Sequence, residues 1–304
     1  MAYYVIKFFI AIINVQPKWL KRALGALIGA FTWQLVPKRR KLTARENIMK
    51  TLSLSEKEAD AVAKKSWTRF GPMLIEVMNF PNIKKHFDDY VVIEGRENLD
   101  KAMAYGKGVV LATAHTGNWE LLGATMGVLN YPIIAVAQKQ ASGSMNRLIN
   151  EYRAMMGMHV TEKTSVLEMI KYLGRGSIIG LLMDQDARDD GVILDFLGQK
   201  AACFQGPAYM ARLKGAPIVP AFITKIGEGR HKVIFHAPFF VEKTTDKKED
   251  IKRTMIKVVS FVENHIRSHP EEWFWMHDRW KYCKRPEVRR QIEEMEKLEK
   301  NRKS

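Results

Sequence analysis

Between residues 91 and 240 short apolar runs alternate with amphipathic stretches, and that alternation leaves few folds open to the chain. The runs 91–93, 108–114, 133–136, 159–160, 177–183, 218–223 and 232–236 are short and rich in β-branched residues, which predicts strands. Helices fall between several of them. The pattern therefore predicts an α/β domain with a mostly parallel central sheet flanked by helices, and such sheets bind their ligands beyond the carboxyl ends of the strands. At 304 residues and 46% hydrophobic, the chain is long enough to give one such domain a full core.

One strand end carries candidate chemistry. The run 109–112 leads to His115, then to the turn formers Thr116, Gly117 and Asn118, and then to Trp119-Glu120-Leu121-Leu122, which has the composition of a helix N-capped by Asn118. Residues five apart in one helix point about 140° apart, but a turn between His115 and Glu120 lets them meet. A histidine oriented by a carboxylate through one ring nitrogen can take a proton with the other. No serine or cysteine nucleophile is needed if the substrate's own hydroxyl attacks. The plainer alternative makes His115 a turn cap and Glu120 a solvated charge favoured by the helix dipole. Asp184 ends the run 177–183 and occupies a second strand end, where a turn-capping aspartate is the plainer reading. Arg153 falls on a predicted helix over 145–156, ended by Gly157, and residues 196–207 read as a loop suited to lining an apolar cleft. No dinucleotide or Walker glycine pattern is present. Cys203 and Cys283 make no disulfide framework, and His231 and His236 are poorly spaced as ligands, so neither a metal nor a cofactor is expected.

The first 50 residues hold ten basic residues and one acid, Glu46, within an otherwise apolar segment. Over the whole chain 49 Lys and Arg face 33 Asp and Glu, a net charge of +16 that calls for an anionic partner. Basic and apolar character together point to membrane, and nucleic-acid modules are absent. The apolar pieces 2–15 and 23–36 fall short of the roughly 20 residues that span a bilayer. Residues 1–41 are thus predicted as a helical membrane anchor lying in or dipping into the bilayer, with Trp19 and Trp33 at the interface and residues 38–41 against headgroups. A tilted spanning helix over 19–36, or a hairpin buried against the domain, are the alternatives. Residues 42–285 form the main domain, helical to residue 87. Three tryptophans between 273 and 280 predict a packed cap, and 286–304 a solvated charged tail.

Arg45-x-Asn47, His115-Thr-Gly-Asn-Trp-Glu120, Arg153-x3-Gly157, Asp184-Gln185, Phe196-x-Gly198, Pro217-Ile-Val-Pro220 and Pro270-Glu-x-Trp273-x-Trp275-x-His277-x-Arg279-Trp280 succeed one another along most of the chain. On these residues the chain resembles the lipid A late acyltransferase family, bacterial lauroyl and myristoyl acyltransferases distantly related to the glycerophosphate acyltransferases. The resemblance implies a glycerophosphate acyltransferase-like fold and a membrane-bound enzyme on the cytoplasmic face of the inner membrane. It implies that acyl carrier protein supplies the acyl group and that a hydroxyl of an anionic glycolipid, a lipid A precursor of the Kdo-lipid A type, receives it. It implies His115 as general base, Glu120 as its orienting partner, and Arg153, Asp184, Asn118 and Gln185 as substrate-binding residues. Where many members carry an arginine after the strand 133–136, this chain has Gln138-Lys139-Gln140, which lacks the planar fork for phosphate. Other acceptors, such as mannosylated phosphatidylinositol or a lysophospholipid, stay open. So does a non-enzymatic basic protein that binds membrane surfaces, which thioester consumption would separate from the enzyme.

Overall fold

The computed structural model describes residues 2–138, 142–227 and 229–301. The chain opens with helices α1 (Ala2–Asn14), α2 (Lys18–Leu35), α3 (Lys38–Leu52), α4 (Glu56–Thr68), α5 (Phe70–Met78), α6 (Phe80–Lys85) and α7 (Phe87–Tyr90). Strands and helices then alternate through β1 (Val91–Glu94), α8 (Arg96–Ala104), β2 (Val109–Thr113), α9 (Trp119–Val128), β3 (Ile133–Ala137), α10 (Gly143–Met155), β4 (His159–Glu162), α11 (Val166–Gly174) and β5 (Ile178–Leu182). A hairpin of β6 (Gly191–Phe196) and β7 (Gln199–Phe204) precedes α12 (Gly206–Lys214), β8 (Ile218–Lys225), β9 (His231–Phe235), α13 (Lys247–Ser268) and α14 (Pro286–Asn301).

Among the described residues the main sheet has seven strands in the order β1-β9-β8-β2-β5-β3-β4, parallel throughout except for the β8–β9 pair. Every predicted strand is present. The period of two along each strand sorts side chains into two cores, one on each face. Val110 and Ala112 of β2 join a core with α3, α4, α11, α12 and α13, while Val109 and Leu111 join one with α1, α6, α8, α9 and α10.

Three expectations need correction. Residues 196–207 are not a loop. Leu197 (φ 51°) and Gly198 (φ 78°) form the two-residue turn of the β6–β7 hairpin, both in the left-handed region such a turn requires. Leucine in place of the usual asparagine hides this turn in the sequence, and a carboxylate oxygen of Glu263 accepts from the Leu197 N–H. The tail is not wholly solvated: Val288 and Ile292, one helical turn apart on α14, are buried against Cys283, Tyr282 and Ile193. The N-terminus is not a free anchor either. No helix among the described residues is long and apolar enough to cross a membrane.

Instead α2 docks backbone to backbone on α4 and α5. A Cβ on Gly29 would lie 2.0 Å from the Thr68 carbonyl oxygen, and one on Gly71 would lie 2.0 Å from the Gly25 oxygen. Tyr3 and Ile10 of α1 enter the second core, and Trp33 is partly buried against the first. The opposite faces stay open and apolar, with Tyr4, Phe8, Phe9 and Val15 around α1 and Trp19, Leu27, Phe31 and Leu35 on α2 all exposed. The predicted C-terminal cap is present: Trp273, Trp275, Arg279 and Trp280 are all buried.

Candidate active site

Parallel pairing places the two strand-end residues side by side. In the β2–β5 register Thr113 faces Leu182, so the residues two further along, His115 and Asp184, leave the sheet at the same edge. Asp184 Oδ1 accepts the His115 backbone N–H at 3.0 Å and lies 2.8 Å from His115 Nδ1. Its other oxygen accepts the Trp273 indole N–H at 2.7 Å. Asp184 is buried, and burial alone pushes its carboxyl up. The adjacent His115 and the N–H groups of His115 and Trp273 outweigh that and hold it down at about 2. An ionised Asp184 fixes the histidine proton on Nδ1 and leaves Nε2 as the basic nitrogen, with no partner among the described residues.

Glu120 is in the first turn of α9 but does not touch His115. Its oxygens accept from Arg153 of α10, at 2.8 Å from Nε and 2.6 Å from Nη2, and both side chains are mostly buried. The fork geometry of the guanidinium matches the carboxylate and takes both of its oxygens. The expected His115–Glu120 pair is therefore corrected: the histidine's carboxylate comes from the neighbouring strand end, 69 residues away in sequence. Arg153, expected to bind substrate, likewise has its fork spent on Glu120. Asn118 is not open to substrate, since it is buried, with Oδ1 accepting the Leu121 N–H at 3.0 Å as the N-cap of α9 and Nδ2 donating to Glu76 at 2.7 Å. Gln185 is exposed and lines the cleft described below. Lys139 and Gln140 lie outside the described residues.

The turn after β2 is braced from behind by groups that no periodicity in the sequence signals. Arg69, at the α4–α5 junction, donates to the Gly117 carbonyl at 2.6 Å and the His115 carbonyl at 3.2 Å, and its guanidinium packs over the Phe70 and Trp119 rings. Burial lowers its pKa to about 10, against the pull of Glu272 and Asp184. The Gly117 N–H donates to the Glu272 carbonyl at 3.0 Å, and Thr116 bridges Trp273. Gly117 holds a φ of 52°, and a Cβ there would lie 2.2 Å from the Ile223 oxygen, so glycine is required. The C-terminal motif serves the same edge. His277 Nε2 accepts the Asp186 N–H at 3.0 Å, and Arg279 Nη1 donates to the Ala202 carbonyl of β7 at 2.7 Å. Trp273 could have been read from its place in the motif; Arg69 had no such signal.

His115 opens on a cleft of about 1080 Å³. Its lining is mainly apolar, with Phe70, Met73, Trp119, Val136, Met169, Leu181 and Met210, and it includes the neutralised Glu120–Arg153 pair. Lys163, Lys247 and Lys248 stand in its lining, exposed and with no ion pair among the described residues. No cluster of three His, Cys, Asp or Glu side chains among the described residues could hold a metal ion.

Residues 1–282 match the family described as bacterial lipid A biosynthesis acyltransferase. A phosphatidylinositol mannoside acyltransferase of Mycobacterium tuberculosis is 26% identical over 211 residues, covering 68% of this chain and 64% of that protein. One from Mycolicibacterium smegmatis is 28% identical over 190 residues, 60% of each chain. The chain thus spans less than two thirds of the length of these mycobacterial relatives. The lipid A biosynthesis lauroyltransferase of Escherichia coli is 25% identical over 261 residues, covering 85% of this chain and 84% of that one. Among solved structures, the 1-acyl-sn-glycerophosphate acyltransferase of Thermotoga maritima superposes with a TM-score of 0.37 at 17% identity, over 74% of this chain and 97% of that one.

Proposed function

The chain belongs to the bacterial lipid A biosynthesis acyltransferase family, and from that premise we propose that it is a membrane-bound O-acyltransferase moving a fatty acyl chain from acyl carrier protein to a hydroxyl of a lipid A precursor. One observation supports the reading above others: a histidine with one ring nitrogen tied to a buried, ionised aspartate lines a large apolar cleft. His115 Nε2 takes the proton of the acceptor hydroxyl as its oxygen attacks the thioester carbonyl. Asp184 stabilises the imidazolium so formed. The tetrahedral intermediate collapses by breaking the carbon–sulfur bond, and the departing thiolate takes the proton from the imidazolium, leaving ester, thiol and a neutral His115. The apolar walls take the acyl chain, while Lys163, Lys247 and Lys248 supply the positive charge an acidic carrier protein or a lipid phosphate seeks.

In this reading the Glu120–Arg153 pair is a wall of the cleft, and the exposed apolar faces of α1 and α2, with Lys38, Arg39, Arg40 and Lys41 beside them, rest on the cytoplasmic surface of the inner membrane. A second acceptor, mannosylated phosphatidylinositol, is favoured by the 26–28% identity to enzymes named for it. Mass spectrometry of glycolipids from cells with and without the protein tests the acceptor: the expected result is loss of one fatty acyl increment from lipid A, and an unchanged lipid A profile sinks that assignment. His115→Ala should lower turnover by roughly 10²–10⁴, the span of a general base. Near-normal turnover in a folded His115→Ala protein ends the base assignment.

A further inference from the structure

A second cavity, of about 570 Å³, lies between α2, the α4–α5 junction, Lys225 and Gly227 at the end of β8, and residues 271–272. Ala26 and Ala30 form one wall. They belong to the same open side of α2 as Leu27 and Phe31, which are 66% and 64% exposed, and Ile226, 48% exposed, follows Lys225 at the opposite rim. Beside Thr68, Pro72 and Gly227, the rest of the lining carries charge of both signs: Lys65, Arg69 and Lys225 against Glu271 and Glu272. Lys65, Lys225 and Glu271 are exposed and have no ion pair among the described residues. On the inner wall Arg69 Nε and Glu272 Oε2 make no hydrogen bond.

An anionic guest alone would set its charge against two carboxylates, and a cationic one would face three cations. A guest carrying both charges satisfies both sets, and the apolar rim adds that it is an amphiphile. We propose that this cavity binds the headgroup of a zwitterionic aminophospholipid, its phosphate toward Lys65 and Lys225, its ammonium toward Glu271 and Glu272, and its acyl chains against the open face of α2. The site rests on the membrane-facing reading of α2 given above. Its inner wall is also the back of the active-site turn, since Arg69 holds the His115 and Gly117 carbonyls and the Glu272 carbonyl holds the Gly117 N–H. A lipid seated there orders the turn that carries His115, so turnover rises when the site is filled.

Native mass spectrometry of the full-length protein in detergent, titrated with phosphatidylethanolamine, phosphatidylcholine and phosphatidylglycerol of identical acyl chains, tests this directly. Phosphatidylethanolamine should be retained at the lowest concentration, because its primary ammonium can donate to the carboxylates and a trimethylated one cannot. Lys65→Ala and Glu271→Gln should each raise the concentration needed by about tenfold, the worth of one charge-assisted hydrogen bond. Both should leave turnover in lipid-free detergent unchanged while removing its stimulation by phosphatidylethanolamine. Equal retention of the three lipids, or a preference that survives in both variants, overturns the site. Absence of acyl transfer by the wild type would instead count against the proposed reaction, and the retention measurement would still stand.

Discussion

Asp184 stands beside His115 because two parallel strands end in register, and its state at neutral pH follows from what it accepts: one backbone N–H, one imidazole N–H and one indole N–H around a buried carboxylate. Asp184→Asn keeps the shape but removes the charge that stabilises the imidazolium in the proposed mechanism, and its amide can present an N–H to Nδ1 and force the other tautomer. Turnover should fall by roughly 10²–10⁴, and adding Asp184→Asn to His115→Ala should cost little more, since the two act as one unit. Glu120→Gln should lower turnover much less and mainly lower the melting temperature, because it leaves the Arg153 charge mostly buried without its partner. If Glu120→Gln proves as damaging to turnover as Asp184→Asn at full folding, the assignment of the partner is wrong. The pH dependence of stability carries a second signature. The folded pKa of Asp184, about 2, lies below the ordinary 3.8, so its stabilisation is present above pH 4 and is lost as pH falls toward 2. Melting temperature followed from pH 5 to 2 should drop less steeply in Asp184→Asn than in wild type.

At the scale of elements, the contact of α2 with α4 and α5 links the N-terminus to the chemistry. Gly29 meets the Thr68 carbonyl, and the next residue, Arg69, holds the His115 turn. A methyl group at Gly29 cannot be accommodated by a side-chain shift, because the atom it meets is backbone. Gly29→Ala should therefore cost about 1–3 kcal/mol of stability and lower turnover with it, whereas Ala23→Leu on the open face of α2 should change neither. Thermal melts and turnover on the two variants decide the matter; a Gly29→Ala protein as stable and as active as wild type would mean that the helices do not pack this closely. By propensity alone glycines 25 and 29 weaken a helix, and only the facing backbone of α4 and α5 shows what they serve. For the same reason the β6–β7 turn was hidden: Leu197 adopts a positive φ that its identity does not advertise, and its N–H is held by donating to the Glu263 carboxylate of α13.

For the whole molecule, the proposed membrane contact draws on two features, the net charge of +16 and the open apolar faces of α1 and α2. Burying side chains such as Phe8, Phe31 and Leu27 contributes about 1.5–3 kcal/mol each and is insensitive to salt, whereas attraction to headgroups is screened within about 3 Å at 1 M. The wild type should remain with membranes in 1 M salt. The double variant Leu27→Glu, Phe31→Glu should move toward the supernatant with little change in melting temperature, because both side chains are more than half exposed. Complete release of the wild type by salt would show that charge alone holds it.

What the sequence determined by itself was whatever depends on neighbours along the chain: seven strands, the helices between them, the histidine and the aspartate at strand ends, and the packed tryptophan cap. Periodicity and turn chemistry are local, and they are legible in one dimension. Which carboxylate meets His115 was decided only by the tertiary structure, because that follows from strand order. β2 pairs with β5 rather than with β3, its successor in sequence, and this brings Asp184 to the imidazole, while Glu120 on α9 turns to Arg153. The fate of the N-terminal helices was decided in the same way. Their composition is that of a membrane segment, but the glycines of α2 let a neighbouring backbone approach to contact distance, so one face is claimed by the protein and only the other is left open.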